Sequence, residues 1–549
     1  MNSPASSRYL KIPTILIFIS VLVVACWAMT RHLDKPMLGP HSFRQTQTAI
    51  SSDHMAKDAS MFADYITPVL GKPWQIPMEL PLYQWITARW HHLSGMALDP
   101  SGKLVSVAAW LACMLPLYLL LKTLRFSRSQ ILLMLVVLLS SPLYLFWSNA
   151  FLIETTGLLL VLGMVACAVR GHERKSAHWL LAALGLGIIA ILCKATTWAV
   201  AVGTGGLLLA FRNGWPQWET LWKRADEKSP GETPGPRGAV ILAVASFCLL
   251  LPFAAGKLWL NHGDSIKSAN PFAREILLAS SPHQAKWNYG SWEQKTDPAI
   301  WQAIWRHVTD QLLAPLPLLG PFLMPLILIA GAIAAPRRIP LMLVFLAGFA
   351  AGPVVFTNLY YEHSYYWSAN GIWLLLAVGT ALAGIWECRP EKLWPQITAV
   401  VLSLMLAVSG FVQWFRVYLP ILAALPARAQ ITEAWTKPVQ SIVPPERTLL
   451  IVGHDWNPNT LYYAGRKGIA YPASGGIQFP GPQLTESLAL LEPQEKLGAV
   501  VIAEPLLTSE NQAPLAAILQ QLGMSLNGQR TAFGVMFPAV DLSGSPPAK

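Results

Sequence analysis

Phe151-Leu152-Ile153-Glu154-Thr155-Thr156 opens an apolar run that continues to near residue 169, and Cys193-Lys194-Ala195-Thr196 joins two more, 177–193 and 195–211. Runs of this kind suit a bilayer, because a spanning helix needs roughly 20 mostly apolar residues. A carboxylate and an ammonium at the ends of such runs are expensive beside hydrocarbon, so each is a functional candidate until a structural role is found. The structural roles are simple to state: Glu154 favours a helix N-terminus through the dipole, and Lys194 snorkels to the interface.

The same pattern extends along most of the chain. Hydrophobic residues make up 53% of 549 and charged residues 13%, which excludes a soluble protein with a water-facing surface. By the length rule about eleven runs qualify as spans. They lie near 12–29, 104–121, 129–147, 152–169, 177–193, 195–211, 238–256, 314–335, 339–357, 370–386 and 395–412. The fold class expected is mainly α: a polytopic helical bundle with exported amphipathic loop helices and a small C-terminal α/β domain. Residues 1–412 form the membrane domain and 413–549 the soluble one.

Lys and Arg gather on alternate short connections: Lys122, Arg125 and Arg128, then Arg170, Arg174 and Lys175, then Arg337 and Arg338, then Arg389 and Lys392. Basic loops stay in the cytoplasm. With Arg8 and Lys11 also inside, the stretches 30–103, 257–313, 358–369 and 413–549 fall outside, in a bacterial inner membrane the periplasm. The net charge of +11 therefore reflects cytoplasmic anchors and not nucleic-acid binding. All six cysteines sit in spans or at a cytoplasmic edge, so the exported parts are expected to hold without disulfides. Val23-Val24-Ala25-Cys26 resembles a lipoprotein cleavage box, but the run around it is long and more spans follow, so it reads as an uncleaved span.

Three exported pieces interrupt the plan of spans and short loops. In the first, 42–60 and 82–93 read as amphipathic helices along the membrane, separated by a Gly/Pro turn near 71–77. The second, 257–313, carries Trp287, Tyr289, Trp292, Trp301 and Trp305 and reads as a lid or as an interfacial belt. In the tail, apolar runs at 448–452 and 498–503 and a helix near 511–522 point to strands and a helix of an α/β domain. Its polar segments His454-Asp455-Trp456-Asn457-Pro458 and Tyr462-Tyr463-Ala464-Gly465-Arg466-Lys467 could hold a glycan but read first as the ordinary strand-end loops of an α/β domain. No internal repeat, Walker loop, dinucleotide fingerprint or zinc spacing is present.

Topology puts Glu154 and Lys194 on the same face as the first exported loop, with His41, Arg44, Glu79 and His363. His363 lies in Tyr360-Tyr361-Glu362-His363-Ser364-Tyr365-Tyr366-Trp367, a loop that also has the composition of an aromatic belt.

One short tail, one span, a large exported loop with two helices, further spans and an exported tail together resemble the C-type glycosyltransferases that use polyprenyl-phosphate sugars. The similarity is to family 39, the branch of protein O-mannosyltransferases and lipid A aminoarabinose transferases. It covers most of 1–412 and is carried by Phe43-Arg44-Gln45-Thr46-Gln47-Thr48-Ala49, Pro81-Leu82-Tyr83-Gln84-Trp85, Ile153-Glu154, Lys194 with Thr196, and His363-Ser364-Tyr365-Tyr366.

The resemblance implies an acidic residue of the first loop acting on the acceptor and a second carboxylate before span four. Glu154 matches the second. Where relatives often read Arg-Gln-x-Asp-Thr-Ala this chain has Gln47, which takes no proton, leaving Asp53 and Glu79 as nearby acidic groups, Glu79 slightly favoured. Transfer from a lipid phosphate needs a carboxylate for the acceptor and cations for the departing phosphate. The expected catalytic set is thus Glu79, Glu154 and Asp53. The expected binding set for lipid phosphate and sugar is His41, Arg44, Gln47, Tyr83, Lys194, His363, Tyr365 and Tyr366.

No metal ligand set is read and no cofactor is assigned, with a divalent metal left open. The expected partners are a polyprenyl-phosphate sugar donor, an envelope glycan, lipid or protein acceptor such as lipopolysaccharide, and the bilayer. Two rivals remain: a flippase for lipid-linked sugar, which should show repeats or broken helices charged near the midplane, and an inactive relative serving as an envelope-assembly subunit.

Overall fold

The computed structural model describes residues 10–221, 236–313, 320–472 and 479–542. Arg8 lies outside them. The chain divides into two compact units, one of 1–33, 103–257 and 287–423, the other of 34–102, 258–286 and 424–549.

The first unit is helical, and the described part of each expected span falls mainly on helix; residues 314–319 of the run 314–335 lie outside the described residues. Among the described residues seven helices are long and apolar enough to cross a membrane, including Lys11–Thr30, Glu154–Arg174, Pro336–Val355 and Ser364–Glu387; Arg128–Leu139, Ala177–Cys193 and Phe322–Ala334 are shorter and apolar. The run 129–147 is broken. Arg128–Leu139 stops at Ser140, and a new helix, Pro142–Trp147, begins on a proline that has no amide hydrogen to lose.

Ser364–Glu387 is the centre of this unit, buried at every residue from Trp367 to Trp386. It packs on Ile339–Val355, Gly320–Ala334, Arg128–Leu139 and Trp394–Gln413. Between membrane helices, attraction comes from close packing more than from expulsion of water, so small residues mark the contacts. A side chain on Gly331 would start 2.5 Å from the backbone of Ala381. One on Gly410 would lie 2.0 Å from the carbonyl oxygen of Ser140, at the helix break. On the other side of that break Trp110 stacks flat on Tyr144, centroids 3.8 Å apart.

The second unit is built on a five-stranded sheet ordered β2-β1-β3-β5-β4, with β1 Thr448–Val452, β2 Gly468–Ala470, β3 Leu497–Ile502, β4 Gln529–Thr531 and β5 Gly534–Pro538. β1 pairs parallel with β2 and β3, and β5 antiparallel with β3 and β4. Both apolar runs foreseen in the tail are central strands, buried at every residue, as parallel strands covered on two faces must be. The helix foreseen near 511–522 is Gln512–Gln521.

The sequence did not reveal what covers the β2 edge. Residues 68–71 of the first loop lie against it: Gly468 N–H donates to Pro68 O at 3.1 Å, Ala470 N–H to Val69 O at 2.7 Å, and Gly71 N–H to Gly468 O at 3.1 Å. An open strand edge is thereby closed. Gly71 is required there, at φ 82° and with its missing side chain directed at Ser487 Oγ, 2.1 Å away.

Helix Ser42–Lys57 corresponds to the expected element at 42–60, but its buried side is polar, with Gln45, Thr46, Gln47, Thr48, Ser51 and Ser52. Such a face is held by hydrogen bonds, so this helix is a buried part of the unit and not an amphipathic helix on a surface. Leu82–Ser94 does keep an exposed apolar side, with Trp85, Trp90 and Leu93, suited to a membrane interface.

Gly410→Ala forces the Ser140 carbonyl to move and is expected to cost about 1–3 kcal/mol. The check is thermal melting of the purified protein in detergent, where an unchanged midpoint would refute the close approach.

Candidate functional site

In the first unit the structure brings together five of the expected residues. Glu154 is the first residue of Glu154–Arg174, where the helix dipole favours an anion. Lys194 is a single non-helical residue, φ −155° and ψ 84°, between Ala177–Cys193 and the next helix. Its Nζ donates to Glu154 Oε1 at 2.6 Å, with the two side chains 8% and 2% exposed.

A pair this dry persists only when further groups solvate it. Tyr366 and Tyr365 supply ring faces, their centroids 4.8 and 5.9 Å from Nζ. The tyrosines stack with each other at 4.9 Å, and His363 stacks on both, at 5.3 and 5.9 Å. Gly157, one turn into the Glu154 helix, makes room: a Cβ there would sit 3.0 Å from Lys194 Cβ.

Buried polar atoms accumulate along the same segments. Among the described residues Glu154 Oε2, Thr155 Oγ1, Thr196 Oγ1, Thr197 Oγ1 and both side-chain polar atoms of Asn149 have no hydrogen-bond partner. Buried polar groups are nearly always satisfied, so this concentration is where a polar ligand would be received. Asn149, Thr155 and Gly157 were missed by the sequence reading; Asn149 in Ser148-Asn149-Ala150 interrupts an apolar stretch and was the available signal.

The second large loop, 257–313, contributes at this place. Trp287 lies edge-on to His363, centroids 5.8 Å apart. Asn358 ties that loop to the His363 segment, donating to Trp287 O at 2.8 Å and accepting from Gln294 Nε2 at 2.9 Å. Trp292 and Trp305 point outward and are exposed, as an interfacial belt requires.

In the second unit the cation is Arg44. Glu79 grips its NH2 with both oxygens, at 3.0 and 2.9 Å, while NH1 donates to Gln47 Oε1 at 2.6 Å. Gln84 Nε2 donates to Glu79 Oε1 at 3.0 Å. Tyr65 fixes the backbone on either side, its hydroxyl donating to Glu79 O at 3.1 Å and accepting from Met78 N–H at 2.9 Å. Burial, with the Glu79 carboxylate second, pushes the Tyr65 phenol far up, so it stays protonated for this task.

Glu79 thus has both oxygens engaged by Arg44 and Gln84. Gln47 is neutral and accepts from the same guanidinium.

The remaining expected residues are placed as follows. Asp53 pairs with Lys57 one turn on, partly exposed, an arrangement worth little. Tyr83 is buried and donates to Gly102 O at 2.7 Å. His41 is the left-handed N-cap, φ 52°, of the Arg44 helix.

That helix is held by the tail. Thr46 Oγ1 donates to Asn459 Oδ1 at 2.6 Å, Asn459 Nδ2 donates to Ser42 Oγ at 2.9 Å, and Phe43 meets Trp456 edge-on at 4.6 Å. Trp456, in the loop after β1, and Asn459, at the start of helix Asn459–Ala464, thus hold the first turn of the helix that carries Arg44. Tyr462 and Tyr463 are also engaged: Tyr462 donates to Asp99, which pairs with Arg428 at 2.5 Å, and the Tyr463 hydroxyl accepts from Met37 N–H at 2.7 Å. Among the described residues no three His, Cys, Asp or Glu side chains gather as a metal site would need.

This architecture, a polytopic helical membrane protein with a small α/β unit, has solved counterparts. Two crystal structures of ArnT from Cupriavidus metallidurans, one bound to undecaprenyl phosphate and one in the apo state, each match at a TM-score of 0.56 and 14% identity, covering 97% of this chain and 99% of that one. At that identity the shared property is the fold, the one implied by the resemblance seen in the sequence. No family model and no curated protein matches the chain.

Removing one partner of the dry pair strands the other charge. Glu154→Gln and Lys194→Met should each cost about 3–5 kcal/mol, and the double variant distinctly less than their sum. A thermal double-mutant cycle reads this, and strict additivity would contradict the contact. In the second unit burial, first, and Lys57 and Lys467 lower the His54 pKa to about 4 against the opposing pull of Asp53. The folded state thus resists a proton that the unfolded chain takes near pH 6.5. Stability should fall as pH drops from about 6.5 to about 4 and level off below, and His54→Gln should remove that part of the slope.

Proposed function

We propose that this chain is a glycosyltransferase of the bacterial inner membrane that moves a sugar, hexosyl or pentosyl, from a polyprenyl-phosphate donor to an exported envelope acceptor, lipopolysaccharide or another glycan or protein. The observation that carries the reading is the dry Lys194–Glu154 pair under Tyr365 and Tyr366, surrounded by unsatisfied buried polar atoms. It belongs to a fold shared with an ArnT solved with undecaprenyl phosphate. The orientation proposed is N-terminus cytoplasmic and tail periplasmic, from the distribution of Lys and Arg.

The chemistry assigns roles by bonding. The acceptor oxygen bonds the anomeric carbon as the bond from that carbon to the phosphate oxygen breaks. The lipid phosphate leaves, and the acceptor proton passes to a carboxylate. Lys194 is the compact cation proposed for the phosphate, with Glu154 holding it in place and offering Oε2 to the acceptor. His363 and the tyrosines are proposed to donate hydrogen bonds to the sugar.

In the second unit Arg44 is the group proposed to read phosphate or sugar, with Glu79 as its positioning partner in preference to a base, because both Glu79 oxygens are occupied. Asp53, partly exposed and paired with Lys57, ranks below either carboxylate.

The test supplies purified protein in lipid with a panel of polyprenyl-phosphate sugars and measures free lipid phosphate. At least one donor should be turned over, with Lys194→Ala lowering the rate about 100-fold or more. Glu154→Gln should be comparably damaging, and Asp53→Asn close to neutral. No release with any donor, together with movement of labelled lipid across vesicles, would replace the enzyme by a flippase.

A further inference from the structure

The first unit carries a second polar place, at the other end of its central helix. Tyr365 and Tyr366 begin Ser364–Glu387 and Glu387 ends it, so the two places are separated by about 30 Å at 1.5 Å per residue. Around Glu387 the helices Lys11–Thr30, Arg128–Leu139 and Trp394–Gln413 leave a cleft of about 480 Å³. Ile15, Leu132 and Trp386 provide its apolar wall, and Lys11 and Arg128 its exposed cations.

The one acid in the lining is already neutralised. Glu387 accepts from Arg338 NH2 at 2.8 Å, Arg337 NH2 at 3.0 Å and Gln130 Nε2 at 2.8 Å. Arg338 is itself fixed, its guanidinium 4.4 Å over the Phe126 ring. Among the described residues neither Lys11 nor Arg128 forms an ion pair. The cleft therefore presents two uncommitted positive charges beside a greasy wall, and it also contains the first turn of Arg128–Leu139, the positive end of that helix dipole.

A ligand matching both features has an anionic head and an apolar body. We propose that this cleft binds an anionic phospholipid, the phosphodiester held by Lys11 and Arg128 and the glycerol and first methylenes lying on Ile15, Leu132 and Trp386. The charge distribution of the chain assigns this end to the cytoplasmic leaflet, where anionic lipids provide the surface potential and basic pockets between helices take phosphate headgroups. The site is independent of sugar transfer, and its lipid anchors the end of the bundle opposite the Lys194 pair.

The test counts bound lipid on the detergent-purified protein by native mass spectrometry during titration with phosphatidylglycerol, phosphatidylcholine or inorganic phosphate. One phosphatidylglycerol should bind in preference to phosphatidylcholine. Lys11→Ala with Arg128→Ala should weaken it roughly 25-fold, about fivefold per cation. Both residues are exposed and outside the packed core, and Lys11→Arg with Arg128→Lys should restore binding, separating lost charge from lost fold. Inorganic phosphate at equal concentration should not compete. Equal retention of phosphatidylcholine, an affinity untouched by the double alanine variant, or displacement of the lipid by inorganic phosphate would each overturn the proposal.

Discussion

An ammonium held inside an apolar bundle is the constraint around which the first unit is organised. Lys194 is 8% exposed on its side chain, and a charge taken out of water to this extent must be offset by its surroundings. The offsets are local and specific. Glu154 supplies the opposite charge at a helix N-terminus, Tyr366 and Tyr365 supply ring faces, and Gly157 leaves space for the lysine stem. Remaining polar atoms on Asn149, Thr155 and Thr197 are buried without partners in the described chain. A site paired this tightly and yet incompletely satisfied is organised for a polar ligand that completes it.

The second unit solves a similar problem with the other cation. Arg44 offers a planar fork, and Glu79 takes it with both oxygens while Gln47 accepts from the other nitrogen. The helix bearing Arg44 is polar on its buried side and so depends on partners: Trp456, from the loop after β1, and Asn459, which opens the next helix, hold its first turn. The first loop in turn closes the sheet edge through residues 68–71. Tail and first loop therefore form one folded body, in which the sheet is the support and the arginine the cargo.

Much of this was legible because hydrophobic length and period act locally. Runs of apolar residues marked the helices and both central strands, and Glu154 and Lys194 were visible as charges where a bilayer tolerates few. Contacts between remote segments left no such trace. Nothing in Pro68-Val69-Leu70-Gly71 signals an edge-pairing segment, because its partner lies some 400 residues further on. Asn459 carries no mark that separates it from any loop asparagine. Helix Ser42–Lys57 was recognised as helix, but the partner of its polar face could only be seen once the tail was folded against it. Glu79 was visible as an acid, whereas its engagement by Arg44 and Gln84 depends on a register that composition does not encode.

Where the phosphate of the proposed donor would bind is the central question, and imaging answers it most directly. A cryo-EM structure of the protein in a nanodisc with polyprenyl phosphate should show the phosphate within hydrogen-bond distance of Lys194 Nζ, beside Glu154 and under the Tyr365–Tyr366 rings. A phosphate bound elsewhere, with the Lys194–Glu154 pair closed and undisturbed, would contradict the account.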